Sequence, residues 1–112
     1  KMAKSVRKGA ELNALGKIPT DVWTKNNHTT SKEYAGWHPT QKPIILLERI
    51  IKAHTQPGEV VLDCFSGSGS TMIACRNTER KFVGCESDPD YYNKSLERLE
   101  KLSLVREGEN ND

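Results

Sequence analysis

The amino-acid sequence predicts an α/β protein built on a parallel strand–helix–strand unit that has a further helix on each side. Three features support this prediction. Two short segments at 59–65 and 81–86, the first of them a nearly continuous apolar run rich in valine, are typical of strands buried on both faces. A glycine-rich turn and a helix of small residues separate them. Stretches with helical apolar spacing precede the first strand and follow the second.

The first helix is predicted over residues 43–55. Pro43 suits the first turn of a helix, where its missing N–H group is not needed, and Thr40 is a possible cap. The segment ends at a Gln-Pro-Gly sequence that stops helices. The residues at helical spacing are Leu47, Ile50, Ile51 and His54.

The second half of the unit follows the same logic. Residues 66–70 form a tight turn, 71–78 a helix of small residues, and 87–102 a helix that starts at Ser87 or Asp88. The apolar stripe predicted for this last helix consists of Tyr92, Leu96, Leu99 and Leu102, and residues 106–112 read as a polar tail.

The chain divides into two parts by composition. Residues 1–37 lack periodicity and hold seven Lys and Arg against three Asp and Glu, so we predict an irregular basic segment there. The short stretch at 18–23 is either a strand or a packed segment. Residues 38–112 hold ten Lys and Arg against twelve Asp and Glu and carry the regular elements.

Composition excludes several classes of protein. The longest apolar run has four residues, so no membrane-spanning helix is expected. The three cysteines are an odd number without a C-x-x-C pair, which favours reduced thiols and a cytoplasmic location. Cys64 and Cys85 are expected to be small core residues on buried strands, with a place in the lining of the cofactor pocket as the alternative for Cys64. No histidine has partners at metal-ligand spacing, so no metal site is predicted.

The main chemical signal is the stretch from Asp63 to Thr71, followed by Glu86. Open parallel sheets bind ligands at the carboxyl ends of their strands, where both acids fall. Gly67 and Gly69 allow the backbone to turn sharply and approach a ligand, and the helix that follows directs its N–H groups at the same place. A carboxylate at Glu86 is suited to both hydroxyls of a ribose. The pattern therefore indicates an adenosine-containing cofactor.

The residues that the turn lacks favour one cofactor over two others. The dinucleotide fingerprint requires a third glycine where Met72 stands, and a phosphate-binding loop requires a lysine that is absent. S-adenosylmethionine, which has one carboxylate and a ribose, fits better. The alternative is an ordinary glycine-rich turn in a fold that binds no nucleotide.

A second signal is His38-Pro39-Thr40-Gln41-Lys42-Pro43, directly before the first helix. A cation at a helix N-terminus is opposed by the helix dipole. Lys42 in that position suggests that an anion, such as the cofactor carboxylate, lies between it and the glycine-rich turn. A capping loop with an exposed lysine is the alternative.

Taken together, "HPTQKP", "VVLDCFSGSGST" and "FVGCESDPDYY" resemble the C-terminal part of DNA amino-methyltransferases in which the catalytic motif precedes the cofactor motif. The resemblance covers residues 16–102. It implies a partial Rossmann-like methyltransferase fold, S-adenosylmethionine as methyl donor, double-stranded DNA as partner, and an exocyclic amino group of adenine or cytosine as acceptor. The cofactor-binding residues it implies are Thr40, Gln41 and Lys42 at the methionine end, Asp63, Phe65, Gly67, Gly69 and Thr71 in the loop, and Glu86 at the ribose with Ser87 beside it.

The catalytic motif of the resembled family is absent from these 112 residues. The family transfers the methyl group at an Asp/Asn/Ser-Pro-Pro-Tyr/Trp tetrapeptide, and none occurs here. Asp88-Pro89-Asp90-Tyr91 lacks the second proline and is explained as a helix start. We therefore expect no catalytic residue in this chain, no methylation by the isolated 112 residues, and an N-terminal catalytic portion in the same or a second chain, with a homodimer as one arrangement.

Two other functions remain open at this level. One is a non-catalytic remnant or partner subunit that binds S-adenosylmethionine or another protein. The other is a nucleotide-binding domain of different chemistry. A role in restriction-modification is compatible with the assignment to the DNA amino-methyltransferases.

Overall fold

The computed structural model describes residues 22–23 and 34–109, with side chains up to Leu104. The expectations for residues 1–21 and 24–33 lie outside the described residues, so the stretch at 18–23 is described only at Val22 and Trp23. The elements are helix α1 (Ile44–His54), strand β1 (Val60–Asp63), helix α2 (Ser70–Asn77), strand β2 (Lys81–Gly84) and helix α3 (Pro89–Glu109). The predicted α/β order is confirmed.

The two strands pair in parallel, with Val60 beside Lys81 at one end and Asp63 beside Gly84 at the other. A parallel pair needs a long crossover, and α2 provides it. Both strands therefore end at the same edge. The residues that follow each strand, Cys64 onward and Cys85 onward, meet at that edge, where Cys85 N donates to Asp63 O at 3.0 Å.

One face of the sheet packs on the helices. Its core is formed by the buried residues Ile44, Ile51, Ile73, Ala74 and Cys75, with Leu47, Val61, Phe82, Leu99 and Leu102 partly buried against them. α1 packs on α2 through this core, so the helix before β1 and the crossover helix hold the sheet from the same side.

The other face of the sheet is exposed. Side chains alternate along a strand, and Val60, Leu62 and Val83 are 58%, 63% and 54% exposed. The expectation of strands buried on both faces is therefore wrong for this chain, because no described element covers this second face. Cys64 and Cys85 are exposed as well, so the prediction that they are core residues is also wrong.

The helix ends agree only partly with the sequence. Asp88 caps α3 as predicted, since its Oδ1 accepts the backbone N–H groups two and three residues further on at 2.8 and 3.2 Å. Pro43 lies just before α1 rather than in its first turn, and Thr40 makes no cap bond to it. α3 continues to Glu109, beyond the end predicted at residue 102.

The packing face of α3 agrees only in part with the predicted stripe, since Leu99 and Leu102 pack against the core as predicted. Tyr92 and Leu96 are 50% and 42% exposed, whereas Ser95 and Arg98 are 4% and 7% exposed. The helix docks on the polar glycine-rich turn as well as on the apolar core. The spacing of apolar residues in the sequence cannot predict the contact with the turn, because that contact is made by polar side chains. Among the described residues, no helix is both long and apolar enough to cross a membrane.

Candidate functional site

A cavity of about 540 Å³ opens at the carboxyl ends of the two strands. The glycine-rich turn, the segment before α1 and the residues after β2 line it. Eight of the ten predicted cofactor-binding residues are among its lining residues: Thr40, Lys42, Asp63, Phe65, Gly67, Thr71, Glu86 and Ser87. Residues far apart in the sequence are thus brought together, as the motifs predict.

The turn owes its shape to its two glycines. Gly67 and Gly69 have φ values of +49° and +77°, in the left-handed region that side chains disfavour. Gly69 N donates to Ser66 O at 2.8 Å, and Gly69 O accepts from Ile73 N at 3.0 Å. The first of these bonds closes the turn, and the second joins it to α2, which begins at Ser70.

Glu86 joins the two halves of the site. Its Oε2 accepts from Gly67 N at 2.6 Å, and its Oε1 accepts from Asp88 N at 3.1 Å. Asp63, at the end of β1, accepts from Phe65 N at 3.0 Å. Both acids line the same cavity, and each carboxylate has further lone pairs available for ligand hydroxyl groups.

The cavity carries both signs of charge. Lys42 lines it from the segment before α1, and the N-terminal N–H groups of α2 lie at the turn. Asp63 and Glu86 supply the negative charges. This distribution suits a ligand that has an anionic group at one end and hydroxyl groups at the other.

Two predicted residues lie outside the cavity lining. Gln41 is 2% exposed, and its Oε1 accepts from Ala35 N at 2.9 Å, so it orients the chain before α1. Gly69 faces α3, where a Cβ would lie 2.9 Å from Ser95 Cβ. Phe65 lines the cavity but is 91% exposed.

His38 and Tyr91 also line the cavity and were not assigned from the sequence. Their ring centroids are 4.6 Å apart, and Trp37 lies 6.0 Å from Tyr91. A Cβ on Gly67 would lie 2.8 Å from His38 Nε2, so the imidazole packs directly on the turn. The sequence signal that could have identified His38 as a cavity residue is its place at the start of the HPTQKP segment.

Comparison with known proteins identifies the family. A sequence model described as DNA methylase matches residues 1–97. The chain belongs to the DNA methylase family. This methylase chain is 44% identical over 86 residues to the type II methyltransferase M2.LlaDCHI of Lactococcus lactis subsp. cremoris, covering 77% of the chain and 32% of that protein. It is 42% identical over 88 residues to the DNA adenine methyltransferase YhdJ of Escherichia coli (strain K12), covering 78% and 30%.

The solved structures agree with this assignment. The crystal structure of the M1.HpyAVI–SAM complex matches the methylase chain with a TM-score of 0.58 and 40% identity, over 73% of this chain and 38% of that one. This match confirms the partial Rossmann-like methyltransferase fold. The chain spans about a third of the length of the curated relatives it matches.

Proposed function

We propose that this chain is the cofactor-binding portion of an S-adenosylmethionine-dependent DNA methyltransferase that modifies the exocyclic amino group of adenine or cytosine. The observation that carries the proposal is the hydrogen bond from Gly67 N to Glu86 Oε2 at 2.6 Å. It places the glycine-rich turn and the acid after the second strand on one cavity, which is the arrangement that a nucleoside ligand needs.

The residues present fit S-adenosylmethionine. Glu86 is suited to the ribose hydroxyls, and Ser87 lies beside it. Lys42, with the N-terminus of α2, is suited to the carboxylate of the methionine end, and Thr40 lines the cavity near it. When bound, the cofactor supplies a methyl group made electrophilic by the adjacent sulfonium. The role of the chain is to hold the cofactor, whereas the target amino group must come from DNA.

Adenine is the favoured target. M2.LlaDCHI is a type II methyltransferase, and YhdJ is a DNA adenine methyltransferase. The name of YhdJ supports DNA as the partner, which we propose to be double-stranded, and the type II class of M2.LlaDCHI supports a restriction-modification setting. Cytosine is the alternative acceptor, because both bases present an exocyclic amino group.

The catalytic tetrapeptide belongs to a portion outside these 112 residues, upstream in a permuted motif order, in the same chain or a second one. Two strands are few for an independent sheet. The exposed apolar side chains of Val60, Leu62 and Val83 are the surface that such a portion would cover. The division at residue 38, between a basic segment and a cofactor-binding part, belongs to the same proposal.

A second candidate is a non-catalytic remnant or partner subunit that binds S-adenosylmethionine or another protein. The absence of an Asp/Asn/Ser-Pro-Pro-Tyr/Trp tetrapeptide from these 112 residues fits this candidate as well as the first. The second candidate shares the cofactor site with the first candidate but predicts no methyl transfer in any context.

Calorimetry on the full-length protein tests the cofactor. We expect S-adenosylmethionine to bind while NAD and ATP do not. Binding of NAD or ATP in its place would instead support a nucleotide-binding domain of different chemistry.

Transfer of a labelled methyl group to double-stranded DNA tests the reaction. Mass spectrometry of the digested DNA should show N6-methyladenine, or N4-methylcytosine if cytosine is the target. Cofactor binding without any DNA methylation would favour the remnant. The isolated 112 residues should not methylate DNA, and methylation by them would contradict the proposed division of the site.

A further inference from the structure

A buried arginine lies directly behind the glycine-rich turn. Arg98 projects from α3 and is 7% exposed. Its Nη1 donates to Ser68 O at 3.0 Å and to Ser70 Oγ at 2.9 Å, in a turn some thirty residues earlier. Burying a guanidinium is costly, and the N-terminal end of α2 disfavours a nearby cation. Packing of two helices alone does not call for a charge in this place.

The turn rests on a single face of α3. Tyr91, Ser95 and Arg98 are spaced four and three residues apart, so they lie on one side of the helix. Tyr91 lines the cavity, Ser95 lies against Gly69, and Arg98 bonds the turn from behind. The same helix face thus contributes to the cavity wall and supports the turn.

The bond from Arg98 acts on one particular peptide group. The carbonyl of Ser68 and the N–H of Gly69 belong to the same peptide plane. Arg98 holds the oxygen, and Ser66 O accepts the N–H at 2.8 Å. Because glycine readily adopts other φ values, this plane would rotate easily if neither end were held.

Rotation of that plane would change the turn that presents Gly67 N to Glu86. The bond from Gly67 N to Glu86 Oε2 lies one residue before the held peptide. We propose that Arg98 is a positioning residue for the cofactor loop, which fixes the Ser68–Gly69 peptide so that the turn keeps its cofactor-binding shape. This inference rests on the proposed binding of S-adenosylmethionine.

A matched control exists on the same pair of helices. Arg76 on α2 donates through Nη1 to Leu99 O at 2.8 Å, so it also ties α2 to α3, but at the end of α2 far from the turn. Replacing Arg76 loosens the helix pair without touching the held peptide. It therefore separates a general packing role from positioning of the loop.

The test measures the dissociation constant for S-adenosylmethionine and the thermal midpoint of the full-length protein and three variants. We expect Arg98→Gln to weaken binding by about ten- to a hundredfold, because hydrogen bonds from a charged donor are lost. Arg98→Lys should weaken it by about three- to tenfold, since an ammonium keeps the charge but not the planar geometry. Arg76→Gln should lower the thermal midpoint yet leave the dissociation constant within about twofold.

Amide hydrogen exchange supplies a second readout. The Gly69 amide should exchange about tenfold or more faster in Arg98→Gln, while the amides of β2 stay protected. Arg76→Gln should not accelerate exchange at Gly69.

Each outcome decides the inference. If the unaltered protein does not bind S-adenosylmethionine, the proposed function fails and this inference with it. If the unaltered protein binds, but Arg98→Lys and Arg98→Gln bind S-adenosylmethionine as tightly as it does, only the role of Arg98 is overturned. If Arg98→Gln does not fold, Arg98→Lys decides, and binding within twofold of the unaltered protein overturns the role. An equal loss of affinity in Arg76→Gln would reduce Arg98 to a packing residue.

Discussion

Replacing Gly67 by alanine should damage the turn in two separable ways. The residue has φ +49°, so any side chain there is strained. The new Cβ would also lie 2.8 Å from His38 Nε2. The imidazole would have to move away from the turn, although it accepts a bond from Thr40 N at 3.2 Å and packs on the Tyr91 ring at 4.6 Å.

The magnitude follows from these two contributions. A left-handed alanine costs about 1–2 kcal/mol. Displacing the His38 ring weakens one hydrogen bond and one ring contact, which adds about 1 kcal/mol. Gly67→Ala should therefore lower the free energy of unfolding by about 2–3 kcal/mol and weaken S-adenosylmethionine binding, because the turn forms part of the cavity.

Urea denaturation of the variants provides the assay. Gly58→Ala is the matched control, because Gly58 has φ +87° but nothing lies within 4 Å of its Cβ position. Gly58→Ala should lower the free energy of unfolding only by the strain of a left-handed alanine, about 1–2 kcal/mol, and should leave the affinity for S-adenosylmethionine unchanged. In a double-mutant cycle, His38→Ala should relieve about 1 kcal/mol of the cost of Gly67→Ala.

One contradictory result would be a Gly67→Ala variant that is destabilised no more than Gly58→Ala. The other would be a cycle that shows no coupling between Gly67 and His38. Either result would mean that the imidazole does not pack on the turn in solution.

Four further predictions concern stability and thiol chemistry. Glu79 has φ +61° just after α2, so Glu79→Gly should raise the free energy of unfolding by about 1 kcal/mol in urea denaturation, and a loss would contradict this. Ile73 is 1% exposed, so Ile73→Ala should cost about 2–5 kcal/mol in the same assay, and a cost below 1 kcal/mol would show that the core is not packed as described. Burial raises the pKa of the Cys75 thiol above its ordinary 9.0, and Arg80 opposes this with a smaller lowering. Because only the unfolded thiol ionises just above pH 9, the free energy of unfolding should fall as the pH rises there. Cys75→Ala should remove this contribution of the thiol to the pH dependence. In native protein, iodoacetamide should modify Cys64 and Cys85 but not Cys75, as read by mass spectrometry, and S-adenosylmethionine should protect the first two, which line the cavity.

Local signals were enough to predict the order of elements and the position of the site. The glycines, the Asp88 cap and the two short strands each act within a few residues, so the sequence displays them directly. The placement of Glu86 beside the turn follows from parallel pairing, because both strands must end at one edge. These features needed no knowledge of distant contacts.

The support of the turn was not predictable in this way. The contacts of Arg98 span about thirty residues and depend on the rotation of α3 about its axis. Apolar spacing indicated a packing face of Tyr92, Leu96, Leu99 and Leu102. Leu99 and Leu102 do pack on the core. Where the helix docks on the polar turn, however, it buries Ser95 and Arg98 rather than Tyr92 and Leu96. The exposed face of the sheet had no local signal either, because a valine-rich strand looks the same whether or not another element covers it.

The central claim is that Glu86 and the glycine-rich turn hold S-adenosylmethionine together. The most direct measurement is the dissociation constant for this cofactor in the full-length protein and in Glu86→Gln, with Glu79→Gln as an exposed control outside the cavity. Loss of the carboxylate should weaken binding by about ten- to a hundredfold, while the control binds as the unaltered protein does. Equal affinity in Glu86→Gln, or no binding by the unaltered protein, would contradict the account.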